Sequence, residues 1–102
     1  MQIEKKNKKQ MNIVIYEDVF SAITRAKTRL GFKSYSAVID TLLDEFESTD
    51  LSNVEVGERN KGKYMYLAIS KNTYERLTAL YKKYRMTYDM IVYKLLKLKN
   101  WI

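Results

Sequence analysis

The feature that most limits how this chain can fold is an internal repeat. The stretch Lys9-Gln10-Met11-Asn12-Ile13-Val14-Ile15-Tyr16 has a counterpart in Lys63-Tyr64-Met65-Tyr66-Leu67-Ala68-Ile69-Ser70. A shift of 54 lays Met11, Ile13 and Ile15 on Met65, Leu67 and Ile69, Phe20 on Tyr74, Ile23 on Leu77 and Ala26 on Leu80. A shift of 53 then lays Ser34–Leu43 on Thr87–Leu96. The one-residue change falls at a turn, where Lys33 has no counterpart and where insertions are tolerated. Matching apolar spacing in the same element order points to a duplicated unit. Each unit holds one short strand, which cannot stand alone. The nearest partner is the other copy, giving an antiparallel two-stranded ribbon over a four-helix core. Exchange of strands between two chains is the alternative that the sequence leaves open.

Alternation divides the strands into faces. Met11, Ile13 and Ile15, and likewise Met65, Leu67 and Ile69, form the face to be buried. Gln10, Asn12 and Val14, with Tyr64, Tyr66 and Ala68, form the outward one. Glu17 and Asp18 suit the start of a helix. That helix runs to about Leu30, with Val19, Ile23, Ala26 and Leu30 as its inward stripe, and Gly31 stops it. Ser34 caps a second helix, apolar at Val38, Ile39, Leu42, Leu43 and Phe46 and acidic outside at Asp40, Asp44, Glu45 and Glu47. Ser70 or Asn72 caps a third helix with a stripe of Leu77, Leu80, Tyr81 and Tyr84. Thr87 caps the last, which offers Ile91, Val92, Leu95, Leu96 and Leu98 for burial and keeps Lys94, Lys97 and Lys99 on a solvated face. Trp101 and Ile102 either dock on the core or contact another molecule.

The expected organisation is a basic arm over residues 1–8, a first unit over 9–47, a linker over 48–62 and a second unit over 63–102. The polar linker, with Leu51, Val54 and Val56 as candidate anchors, can extend over several tens of ångströms, enough to return the second strand to the first.

The net charge of +7 is unevenly spread. Residues 1–34 carry +5, residues 35–62 carry −5 and residues 63–102 carry +7. Two basic blocks around an acidic one suit a polyanion-binding surface made from both ends of the chain. The chain has no cysteine and no histidine, so it lacks a thiol nucleophile and the commonest general base and metal ligand. No catalytic constellation is recognisable, and no cofactor is called for. No apolar run is long enough to span a bilayer, and no membrane partner is expected.

Strand, helix, helix, with Gly31-Phe32-Lys33-Ser34-Tyr35-Ser36-Ala37-Val38-Ile39 at the helix junction, resembles the ribbon-helix-helix (MetJ/Arc/CopG) superfamily. The resemblance covers residues 9–47 and 63–102. Most members are dimers of single units, whereas this chain is similar to fused-dimer regulators found among viruses of archaea. The implied fold is mainly α with a two-stranded antiparallel β-ribbon, two tandem units forming one pseudo-dimeric domain. The implied partner is double-stranded DNA, and the expected compartment is the cytoplasm, that of the host cell if the source is viral. The ribbon lies in the major groove and its outward side chains read base edges. By position these are Gln10, Asn12, Val14, Tyr64, Tyr66 and Ala68. Gln10 and Asn12 suit adenine, and Val14 and Ala68 suit a thymine methyl. No Arg or Lys stands among these readers, and the two strands differ, so two unlike half-sites are expected.

The resemblance also implies that the second-helix N-termini clamp phosphates. Those positions are Ser34, Tyr35 and Ser36 in the first unit and Thr87 and Tyr88 in the second, with Lys9, Lys33 and Lys63 as direct cationic contacts. The second unit departs from the pattern. Arg85-Met86-Thr87 replaces the glycine turn, and Asp89, the counterpart of Ser36, favours a helix start but repels phosphate. The expected function is a sequence-specific transcription regulator. A non-specific architectural DNA coat and an antitoxin-like protein-binding module are the alternatives, and the short end after the last helix argues against the latter. Further copies of the chain along DNA are a partner that the sequence leaves open.

Overall fold

A computed structural model describes residues 10–102. The elements follow as β1 (Gln10–Tyr16), α1 (Glu17–Leu30), α2 (Tyr35–Phe46), a 3-10 turn at Leu51–Asn53, β2 (Tyr64–Ser70), α3 (Lys71–Tyr84) and α4 (Tyr88–Lys99). The protein is mainly helical with one two-stranded antiparallel sheet. Bounds of α3 are those of α1 moved by 54 residues, and bounds of α4 are those of α2 moved by 53. The two strands of this chain pair with each other. Ile13 stands opposite Leu67, Gln10 opposite Ser70 and Tyr16 opposite Tyr64. Both strands show the same burial sequence, as the alternation predicts.

Local chemistry sets the helix ends. Ser34, Ser70 and Thr87 each accept the N–H three residues on, at Ala37, Thr73 and Met90, which satisfies an otherwise orphan donor. Gly31 ends α1 in the left-handed region at φ 74°, as expected for a residue without a Cβ. Arg85 ends α3 in the same conformation at φ 58°, though it bears a side chain that disfavours it.

Ile13, Ile15, Leu67 and Ile69 form the roof of the core, over Val19, Ile23, Ile39, Leu42, Leu43, Leu77, Ile91, Leu95 and Leu96. Two stripe positions differ from expectation. Leu30 and Tyr81 are exposed, and Ala22 and Thr73 are the buried residues instead. Leu30 is the last residue of α1, and Tyr81 stacks on Tyr88 in an open cleft that it lines together with Asn12, Val14 and Tyr16 of β1. Lys94 also departs from the expected solvated face. It is only 8% exposed, and its Nζ donates to the Leu51 carbonyl at 3.0 Å. Helix α4 touches α1, α2, α3 and β1, so it has little wet surface to offer. Lys99 pairs with Glu45 at 2.7 Å. The acidic outer face of α2 is likewise not free, because Arg76 of α3 bonds Asp40, Asp44 and Glu47. Trp101 and Ile102 are half-buried against the core, with the Trp101 ring edge-on to Phe32. No helix among the described residues is long and apolar enough to cross a membrane.

Candidate nucleic-acid interface

The pleat carries Gln10, Asn12 and Val14 of β1 and Tyr64, Tyr66 and Ala68 of β2 to one surface. All six are exposed, and cross-strand neighbours interleave them, Asn12 beside Ala68 and Val14 beside Tyr66. Tyr64 and Tyr66 are 59% and 68% exposed although they are large and partly apolar, and such residues exposed together mark an interaction surface. Their rings meet edge to face with centroids 6.2 Å apart, a favourable arrangement that fixes the pair. The surface therefore offers two side-chain amides, one isopropyl group, one methyl group and two phenols. It carries no formal charge of its own.

The second-helix N-termini stand at opposite ends of this ribbon. The Ser70 N–H donates to Ser36 Oγ at 2.8 Å, which places the start of α2 at the Gln10–Ser70 end. The Tyr16 N–H donates to Asp89 Oδ1 at 2.9 Å, which places the start of α4 at the Tyr16–Tyr64 end. Ser36 and Asp89 thus do the same structural job at matched positions of the repeat. Six residue steps of about 3.4 Å separate the two ends by roughly 20 Å. At the α4 end, Asn12, Val14 and Tyr16 share a cleft of about 350 Å³ with Thr87, Tyr88 and Asp89.

Most hydroxyls of the expected clamp residues are engaged inside the protein. Ser34 and Thr87 serve as caps. The Tyr35 hydroxyl accepts from Thr24 at 3.4 Å, and the Tyr88 hydroxyl shares a hydrogen bond of 2.9 Å with Thr78. Tyr35 packs on Phe20 and Tyr88 on Tyr74, again at matched repeat positions. Burial pushes the Tyr88 phenol above its usual range. The groups left for an anion are the backbone N–H groups of the first turns other than those of Ala37 and Met90, which the caps take, and the exposed Lys33 and Lys63. Lys9 lies outside the described residues.

The two helix starts differ in charge. Ser36 is neutral, whereas Asp89 is a buried carboxylate. Arg59, from the linker, neutralises it through Nη1 at 2.8 Å and also bonds Asp18 through Nη2 at 2.7 Å and Nε at 2.9 Å. The Arg59 side chain is 3% exposed and lies 4.2 Å from the Tyr93 ring centroid. Burial opposes its charge, but the hydrogen bonds and charges of Asp18 and Asp89 more than offset this and hold the guanidinium above its usual range. Reading the linker as a polar connection misses this residue. The signal that could have found it is Asp89 itself, a carboxylate where the other repeat has a hydroxyl, which when buried requires a cation.

Comparison with protein families, with curated proteins and with solved structures finds no match to this chain.

Proposed function

We propose that the chain is a tandem ribbon-helix-helix protein, a dimer fused into one pseudo-dimeric domain, that binds double-stranded DNA sequence-specifically and regulates transcription. The observation that carries this reading is the ribbon surface. Six outward side chains lie together on the exposed face of a two-stranded element, with a helix N-terminus at each end. A two-stranded ribbon fits the major groove. In this reading Gln10 and Asn12 pair with adenine edges, Val14 and Ala68 meet thymine methyl groups, and Tyr64 and Tyr66 bond bases or phosphates. Lys33 and the amides of Tyr35 and Ser36 hold a phosphate at the Gln10–Ser70 end of the ribbon, beside the end of β2. The fused-dimer reading is supported by the matched helix bounds, the matched burial of both strands and the paired Tyr–Thr and strand-end contacts.

Binding-site selection followed by gel shifts over a salt series tests the proposal. A discrete selected site is expected, with log affinity falling at about −0.9 per contacted phosphate against log salt. Asn12→Ala should lose roughly 1–3 kcal/mol on the selected site and little on random duplex. Lys33→Ala should weaken both duplexes alike. Equal losses on all sequences for Asn12→Ala would turn the reading to a non-specific DNA coat. Failure of the wild type to bind duplex DNA would end it.

A further inference from the structure

The turn over residues 59–63, where the linker runs into the second unit, is held more firmly than a connection between two units requires, and it lies at the Tyr16–Tyr64 end of the ribbon. We propose that this turn is a grip for the DNA backbone, in which Lys61 and Lys63 contact phosphates that the α4 N-terminus does not hold. The proposal rests on the reading of the ribbon as a DNA-binding surface.

The α4 N-terminus is compromised as an anion site. The Asp89 carboxylate already lies at its first turn, where it satisfies the positive end of the helix and opposes a second anion. At the matched position of α2 stands Ser36, whose neutral hydroxyl leaves that end open. One end of the ribbon thus keeps a helix N-terminus for phosphate, and the other needs a different source of positive charge.

The linker supplies it. The Glu17 N–H donates to the Lys63 carbonyl at 3.0 Å and the Asp18 N–H to the Lys61 carbonyl at 3.2 Å. Both lysines are therefore fixed by their backbones to the start of α1, directly beside the ribbon. Gly62 between them sits at φ 75°, and a Cβ there would come within 2.8 Å of the Glu17 Cβ, so the turn is tightly fitted. Lys61 and Lys63 are exposed, and neither has a carboxylate partner among the described residues. The Lys61 ammonium lies 4.9 Å from the ring centroid of Tyr16. Tyr16 belongs to the outward alternation of β1 and faces Tyr64 across the ribbon. Lys63 directly precedes Tyr64.

Three carboxylates also meet at this end, and each is engaged by the protein. Asp89 accepts from Tyr16 N–H and Arg59, Asp18 from Val19 N–H and Arg59, and Glu17 from Lys63 N–H. Arg59, nearly enclosed, counters the two aspartates. The charged groups left exposed are the two ammoniums and the Glu17 carboxylate, which is turned to the Lys63 N–H. The ammoniums suit the phosphates of a groove wall better than an isolated small anion because they have no buried donors around them.

Fluorescence anisotropy on the selected duplex and on random duplex, each over a salt series, tests the grip. Lys61→Ala should reduce the salt slope by roughly one unit, and Lys61→Ala/Lys63→Ala by roughly two, on both duplexes. Lys61→Arg should keep the wild-type slope. Lys82→Ala, an exposed lysine in the last turn of α3, serves as the control and should leave the slope unchanged. Phosphate-ethylation interference should lose its signal at one edge of the site only. A double variant with the wild-type slope would overturn the grip and leave DNA binding through the ribbon intact. A wild type without salt-dependent duplex binding would overturn both.

Discussion

Arg59→Met removes the cation from between two carboxylates while keeping most of the apolar stem. Of those acids, Asp89 has a side chain 6% exposed, and Asp18 is partly solvated. Breaking a buried ion pair by deleting one partner costs about 3–5 kcal/mol. Because Asp18 can turn toward water, the lower end applies, and we expect a loss of about 3 kcal/mol. The contact of the guanidinium with the Tyr93 ring is part of that loss. For a domain of this size each kcal/mol moves the melting midpoint by about 4–8 °C, so Tm should fall by roughly 12–24 °C. Urea and thermal unfolding followed by circular dichroism at neutral pH would measure it. A companion variant separates charge from packing. Asp89→Asn keeps the oxygen that accepts the Tyr16 N–H and removes the unpaired charge. Placed in the Arg59→Met background, it should recover more than about 1 kcal/mol. A loss below about 1 kcal/mol, the value of an exposed pair, would refute the reasoning. So would a double variant as unstable as Arg59→Met alone.

The left-handed residues give two further tests by the same unfolding measurements. At Gly31 an added Cβ meets nothing within 4 Å, so Gly31→Ala should cost about 1–2 kcal/mol for the backbone conformation alone. At Gly62 the Cβ would also displace Glu17 from the Lys63 N–H, so Gly62→Ala should cost about 1 kcal/mol more than Gly31→Ala; equal costs would contradict the fit of that turn. Arg85→Gly places the permissive residue at φ 58° and should stabilise the protein by up to about 1 kcal/mol. A lower Tm for Arg85→Gly would show that the Arg85 side chain makes a contact worth more than the strain.

The ribbon was legible because its signal is local and repeated. Alternation assigns Ile13, Ile15, Leu67 and Ile69 inward, and the same period puts Gln10, Asn12 and Tyr66 outward. The caps at Ser34 and Thr87 were legible for a similar reason, since each is a short side chain answering a donor three residues away, and Ser70 was one of two candidates beside Asn72. What could not be read depends on the company each helix keeps. An amphipathic stripe presumes one wet face. Helix α4 is surrounded, so Lys94 is enclosed and must find the Leu51 carbonyl. Leu30 continues a correct stripe past the point where core remains to cover it. Arg59 has no local pattern at all, because its partners Asp18 and Asp89 lie 41 and 30 residues away.

The difference between Ser36 and Asp89 links these observations to the proposed function. In a dimer of identical units, whatever stands at a helix start stands there twice. A fused chain can place a hydroxyl at one end and a carboxylate at the other, and it has one linker, which can serve one end only. Burying Asp89 requires a cation, and Arg59 meets that need from the linker. The backbone of residues 61–63 lies against α1, with the Lys61 ammonium beside Tyr16 and Lys63 next to Tyr64 in the chain. One substitution between the repeats is thus coupled, in the proposed reading, to a different mode of DNA-backbone contact at that end. The reading groups differ in the same sense, amides on β1 and phenols on β2. If the proposed reading holds, base contacts and backbone contacts together distinguish the two orientations of the protein on its site. A combined difference of only about 1.4 kcal/mol suffices for a tenfold preference. On the proposed reading, duplication without symmetry lets a single chain choose a direction along DNA.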